Sequence, residues 1–126
     1  MNDPGTMSVT ELTQALRRRE VSSRELLDHY LDRIEQDGTI NAVITIDEDA
    51  ARAQAAAADE ALVRGEPKGL LCGLPMTVKD VIETAGLRTT AGAPELAGHI
   101  PFRDADAVAR LRTADAVIFG KTNTPP

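Results

Sequence analysis

The apolar positions change period twice along the chain. Between Ser8 and Gly38 they recur every three to four residues, first as Val9, Leu12, Ala15 and Leu16, then as Leu26, Leu27, Tyr30, Leu31 and Ile34. That spacing lays one apolar stripe along each of two helices. The same signal introduces both stripes. Ser8-Val9-Thr10-Glu11 and Ser22-Ser23-Arg24-Glu25 have capping-box spacing, in which a hydroxyl and a carboxylate each accept from a free backbone N–H of the first turn. The first pattern ends near Glu20, and Gly38 stands where a C-terminal glycine cap closes the second. With a very short join around Val21, the two helices form an αα-hairpin. The stretch from Met1 to Met7, containing Pro4-Gly5, reads as a mobile polar lead.

A β-branched run, Asn41 to Ile46, predicts a strand. Acidic Asp47-Glu48-Asp49 then opens an alanine-rich helix over Ala50 to Arg64, and Gly65-Glu66-Pro67 ends it. Pro67-Lys68-Gly69 is the clearest linker. Beyond it the period falls to two: Leu74, Met76 and Val78 alternate with Thr77 and Lys79, a strand with two distinct faces. Val81 to Thr84 continues extended or turns, Ala85 to Pro94 is a small, Gly-rich loop, and Glu95-Leu96-Ala97 is a single helical turn. Asp104 reads as the N-cap of a helix whose apolar face is Ala107, Val108, Leu111 and Ala114. Asp115 takes the left-handed exit from that helix. Ala116 to Gly120 is a buried strand, and Lys121 to Pro126 is the loop at its end.

Strand, loop, helix, strand is a βαβ-type unit, with a parallel pair and a right-handed crossover. The fold class is α/β in a single domain: residues 1–68 are a mostly helical scaffold, and 69–126 are the strand–loop–helix–strand unit. Ligands in such sheets bind beyond the carboxyl ends of the strands. If the two strands are neighbours, Lys79 and the Lys121-Thr122-Asn123 loop share one crevice.

Composition narrows the function classes. At 126 residues, 42% hydrophobic and 27% charged, the chain is long enough and apolar enough for one folded core. Tyr30, Phe102 and Phe119 are the only aromatics, so that core is aliphatic. A net charge of −6 speaks against a nucleic-acid partner, which needs Lys and Arg to replace phosphate counterions. The basic run Arg17-Arg18-Arg19 is a solvated helix end. No apolar run approaches the roughly 18 residues of a membrane span, and no signal-peptide h-region opens the chain. Cys72 is the only cysteine, which excludes an internal disulfide and fits a cytoplasmic location. His29 has no metal-ligand pattern around it.

Candidate chemistry centres on Lys79, at the point where an apolar strand gives way to a turn. It reads either as an ordinary strand-end lysine in solvent or as an amine held for catalysis. Strand alternation sends Asp80 to the opposite face, where it braces a loop. Met76, Val78 and Val81 provide apolar surroundings for the amine. Thr122 and Asn123 either shape a pocket or serve turn chemistry. Gly120-Lys121-Thr122 imitates the tail of a phosphate-binding loop, but Asp115 stands where the first glycine is required and strand residues fill the interval.

Four segments in order, Gly73-Leu74-Pro75-Met76-Thr77-Val78-Lys79-Asp80, Thr89-Thr90-Ala91-Gly92, Arg103-Asp104-Ala105 and Val117-Ile118-Phe119-Gly120-Lys121-Thr122-Asn123, resemble the amidase signature family. The hairpin with Val21-Ser22-Ser23-Arg24-Glu25-Leu26 is similar to that family's start, so the resemblance covers nearly the whole chain. Asn123-Thr124-Pro125 looks more like a general amidase than the amidotransferase component that acts on charged transfer RNA. Cys72 stands where the family often has His, Asp115 where Gly is common, and Pro126 where an acidic residue usually follows Pro. The last departure reads as a sequence that runs out or changes frame.

The resemblance implies the first strands and helices of an α/β/α sheet, cut short, and hydrolysis of carboxylic amides through a Ser–cis-Ser–Lys triad. Lys79 matches the triad lysine; Asp80, Thr90, Thr122 and Asn123 become pocket or loop support. The two serines belong to a Gly/Ser-rich segment downstream of the Asn-Thr-Pro loop, and Ser8, Ser22 and Ser23 are helix-cap or join residues. On this reading the chain is the N-terminal portion of an amidase and holds one third of the triad. No metal or organic cofactor is implied. The expected partner is a small amide, with no nucleic acid or membrane, and the full-length form is open to homodimerisation. A lysine that takes a proton from serine must be neutral. A free lysine titrates near ~10.4, so roughly 3 units, about 4 kcal/mol, have to come from burial. The alternative is a non-catalytic remnant or partner-dependent module, since a sheet cut after Gly120 would leave an open edge and an uncovered apolar face.

Overall fold

The computed structural model describes residues 3–124. Met1 and Asn2 of the lead, and Pro125 and Pro126 of the final loop, lie outside the described residues. Both expected capping boxes form. Ser8 Oγ accepts from the Glu11 N–H at 3.1 Å, and Glu11 Oε1 from the Ser8 N–H at 3.0 Å, opening α1 (Val9–Arg17). Ser22 and Glu25 repeat the exchange at 3.0 Å each and open α2 (Ser23–Gln36). The lead is held in place: Pro4–Thr6 is a 3-10 turn capped by the Asp3 carboxylate, and Met7 packs on the helix core.

Helices α1, α3 (Glu48–Val63) and α4 (Asp106–Thr113) end alike. One left-handed residue follows each, namely Arg19, Gly65 and Asp115, with φ of 58°, 71° and 70°. Its N–H and the next one return to carbonyls of the last turn, as Glu20 N does to Ala15 O and Ala116 N to Leu111 O. Asp115 therefore does what its position suggested. Arg19 does the same unannounced, and Arg17 of the same basic run donates to Gly69 O at 3.0 Å. Gly38 does not: α2 closes on Asp37, whose N–H bonds Arg33 O, with no left-handed residue.

Strands β1 (Val43–Ile46), β2 (Pro75–Lys79) and β3 (Val117–Thr122) form one sheet in the order β1-β3-β2. The expected parallel pair is β2 with β3. The third strand was not anticipated in that place: β1 runs antiparallel on the other side of β3. So β3 is central, and the free edges belong to β1 and β2 rather than to a strand ending at Gly120. Ladders on both sides carry β3 through Lys121 and Thr122, which were expected in a loop.

One sheet face lies under α2 and α3, where Val117 and Phe119 pack on Leu27, Leu31, Ala51 and Ala55. Ala51, Ala55 and Ala58 are buried at helical spacing, and their small side chains let α3 sit close. The other face carries Ile118 and Val78 against Leu87 and Val108. A third cluster joins α1, α2 and α3 to the Cys72–Leu74 turn. There Ser23, fully buried, donates to Gly73 O at 2.7 Å, while Asp59 of α3 accepts from the Ser23 and Arg24 N–H groups. Gly73 holds φ 81° at this contact, a conformation that favours glycine.

Cys72 is 3% exposed in that cluster. Burial, reinforced by the Asp115 carboxylate, pushes its thiol up to about 11. An unfolded thiol ionises near ~8.5. The folded chain therefore holds the proton that the unfolded chain has lost between those values, and stability falls as pH rises through that window. The shift is worth about 3 kcal/mol. Urea melts at pH 8 and pH 11 are expected to differ by that much more in the wild type than in Cys72→Ala; equal pH dependence in the two would contradict it.

Candidate functional site

Lys79 is the last residue of β2 and pairs across the sheet with Thr122 of β3. It is exposed, whereas Asp80, one residue on, is fully buried. Alternation separates them as expected. The same alternation corrects the apolar surroundings assigned to Lys79. Val78 lies on the Asp80 side and packs on Leu87, Val108 and Ile118, and Val81 is 50% exposed. Thr77, two residues before Lys79 on its own face, lines an open groove of about 400 Å³ with Tyr30, Arg33 and Phe119.

The backbone around Lys79 is pinned. Lys79 O accepts from Ile82 N at 3.0 Å, Asp80 N donates to Thr122 O at 3.0 Å, and Asp80 O accepts from Ala91 N at 2.9 Å. The Asp80 carboxylate accepts from the Thr90 N–H at 3.2 Å and from the Thr90 hydroxyl in a short bond. Asp80 and Thr90 thus close the two ends of the intervening loop, a bracing role. Thr122 is half-buried and takes part through its carbonyl. Asn123 ties the end of β3 to the start of β1: its N–H donates to Ala42 O at 2.8 Å and its amide to Asn41 O at 3.3 Å. That is turn chemistry.

Asp104 does not cap α4, although the sequence suggested it. The N-cap is Ala105, without a side-chain bond. The Asp104 carboxylate is committed elsewhere, to the Ala85 N–H at 2.7 Å and to Arg112 Nε at 3.0 Å.

Sequence reasoning missed Lys121, which is the largest fully buried side chain among the described residues. Its Nζ donates to Ile82 O at 2.5 Å, Thr84 Oγ1 at 2.8 Å and Thr89 Oγ1 at 2.9 Å. Burial lowers its proton affinity, while Asp80 and Glu83 oppose that shift. A β-bulge puts it there. Met76 pairs with Ile118 but Thr77 with Gly120, so Phe119 is the extra residue on β3. Parity flips at the bulge, and Lys121 joins Ile118 on the Val78 face instead of following Val117 and Phe119 under the helices. Gly120 permits this, since a Cβ there would lie 2.8 Å from Thr45 O of β1.

The site therefore carries two lysines in opposite environments, one amine in the open at a strand end and one buried and saturated beside it. No group of three or more His, Cys, Asp or Glu among the described residues is placed to hold a metal ion.

The Amidase family model matches residues 25–126. The chain belongs to the amidase family. Curated relatives of this amidase-family chain include the A subunit of the glutamyl-tRNA(Gln) amidotransferase of Burkholderia thailandensis, 48% identical over 116 residues, which are 92% of this chain and 23% of that protein. The protein of the same name from Alkaliphilus metalliredigens is 41% identical, over 93% of this chain and 24% of its own length. Among solved structures, a crystallised amidase is 40% identical with a TM-score of 0.83, over 93% of this chain and 27% of its own. The peptide amidase of Stenotrophomonas maltophilia is 38% identical with a TM-score of 0.86, over 94% and 25%. The chain thus spans about a quarter of the length of the relatives it matches, and its mixed α/β architecture is that of their matching part. Among the described residues no helix is long and apolar enough to cross a membrane.

Proposed function

We propose that this chain is the N-terminal portion of an amidase that hydrolyses carboxylic amides, and that Lys79 is the base of its Ser–cis-Ser–Lys triad. The position of Lys79 carries the reading. It is an exposed amine at the carboxyl end of a strand, on a backbone fixed from both sides, beside the end of a parallel neighbour. In this mechanism the neutral amine takes a proton from the bridging serine, which takes one from the nucleophilic serine as that oxygen attacks the amide carbon. Both serines come from the part of the enzyme that packs over the open side of Lys79. Excluding water there disfavours the charged amine and so favours the neutral form that can accept a proton. Amide hydrolysis by the complete enzyme, with Lys79→Ala as the variant, is the test; retained turnover would refute the assignment.

The name of the curated relatives favours a second reading, one component of an amidotransferase acting on glutamyl-tRNA(Gln). A requirement for glutamyl-tRNA and for a second protein component would support it; turnover of simple amides by the enzyme alone supports the first.

A further inference from the structure

We propose that Lys121 is a positioning residue for Lys79: its buried side chain grips the Ile82–Thr89 loop from beneath and, with the Asp80–Thr90 contact, fixes the strand end from which Lys79 projects. The inference rests on the triad reading of Lys79.

The argument begins with donors and acceptors. An ammonium has three N–H groups and no acceptor. Lys121 Nζ faces three acceptors, Ile82 O, Thr84 Oγ1 and Thr89 Oγ1. Neither threonine has a hydroxyl proton to offer, because Thr84 Oγ1 donates to Ile82 O at 2.9 Å and Thr89 Oγ1 to Leu87 O at 3.0 Å. A neutral amine would bring two N–H groups and a lone pair to three acceptors, leaving one unmatched. The site is built for the charged form, with the Asp80 carboxylate, also fully buried, as a nearby countercharge. A surface lysine does not need this arrangement. Here an entire loop wraps one amine.

The loop so held is the one that starts at Lys79. Lys79 O receives Ile82 N, Ile82 O receives Lys121 Nζ, and Lys121 lies in β3 opposite Val78, next to the Lys79–Thr122 pair. A chain of direct contacts thus runs from the buried amine to the backbone of the exposed one. Asp80 holds the far end of the loop through Thr90 and Ala91. Because Lys121 is buried on the face away from the Lys79 side chain, it acts through the backbone, without touching substrate. In catalysis, misplacing a reacting group by about 1 Å costs on the order of 10²-fold.

The test combines exchange and kinetics. In this chain, Lys121→Met is expected to speed hydrogen–deuterium exchange over 82–91 while α2 and α3 keep their protection. Unchanged exchange over 82–91, or faster exchange in α2 and α3 with that loop still protected, would overturn the proposal. In the complete amidase the same substitution is expected to lower kcat by about 10²-fold with KM unchanged. Thr89→Val, which removes one acceptor at nearly constant shape, is expected to give a smaller loss of the same kind, and it decides the matter should Lys121→Met not fold. Wild-type kcat in Thr89→Val and Lys121→Met, alongside an inactive Lys79→Ala, would refute the positioning role and leave the triad reading standing. An active Lys79→Ala would sink both.

Discussion

Lys79→Ala in the complete amidase is expected to lower kcat by about 10²–10⁴-fold, the range that loss of a general base produces. Stability should stay within about 0.5 kcal/mol, because an exposed side chain outside the core is being removed. The two readouts separate chemistry from folding: a melt shift with the same loss of rate would mean that the strand end had been disturbed. Lys79→Arg sharpens the test. A guanidinium keeps the positive charge and cannot be deprotonated at working pH. If Lys79 serves as a base, Arg is as inactive as Ala. If it serves as a fixed positive charge, Arg retains much of the rate. Measuring ammonia release from a primary amide for all three proteins decides between these roles, and an Arg variant with near wild-type kcat would exclude proton transfer through Lys79.

The legible parts of this fold are those decided by neighbours in sequence. Ser8 with Glu11 and Ser22 with Glu25 form their caps as written, because a capping box is complete within one helical turn. Asp115 takes its left-handed turn for the same reason. The misreadings occur where a distant residue outbids a local rule. Asp104 has the position and chemistry of an N-cap, but Ala85 N and Arg112 claim its carboxylate. The strand Val43–Ile46 was visible, yet nothing in its residues says that it pairs antiparallel with a strand as distant in sequence as Val117–Thr122. That pairing is what makes β3 central and carries it past Gly120.

The site divides in the same way. Lys79 was legible as the residue at a strand end, and Asp80 as its inward-facing neighbour, since both follow from simple alternation up to the end of β2. Lys121 was not. Counted by twos from Val117 it belongs under the helices, and only the extra residue at Phe119 turns it to the other face. Its acceptors, Thr84 and Thr89, lie in a loop that looked merely small and polar. A lysine directly after a buried apolar run, with two threonines waiting in the preceding loop, was the available signal. It was overshadowed by the false phosphate-loop pattern that the same Gly-Lys-Thr creates.

Asp80→Ala should strongly destabilise this chain. The carboxylate is fully buried and acts electrostatically on the buried Lys121. Removing it takes away the stronger of the two negative charges acting on that ammonium, leaving Glu83, and each buried polar group left unmatched costs about 1–3 kcal/mol. It also strips the Thr90 N–H and hydroxyl of their acceptor. Domains of this size are stable by about 5–15 kcal/mol, so such a loss takes a substantial share of the total. Asp80→Asn separates the two losses: its amide oxygen can still accept from Thr90, but the charge is gone, so it should fall between wild type and Asp80→Ala in urea denaturation. If the charge pairing matters, Asp80→Ala should cost much less in a Lys121→Met background, because no buried ammonium is left without its countercharge. Equal costs in the two backgrounds would mean that Asp80 works only as the acceptor for Thr90, and the end of β2 would then be held by hydrogen bonds alone.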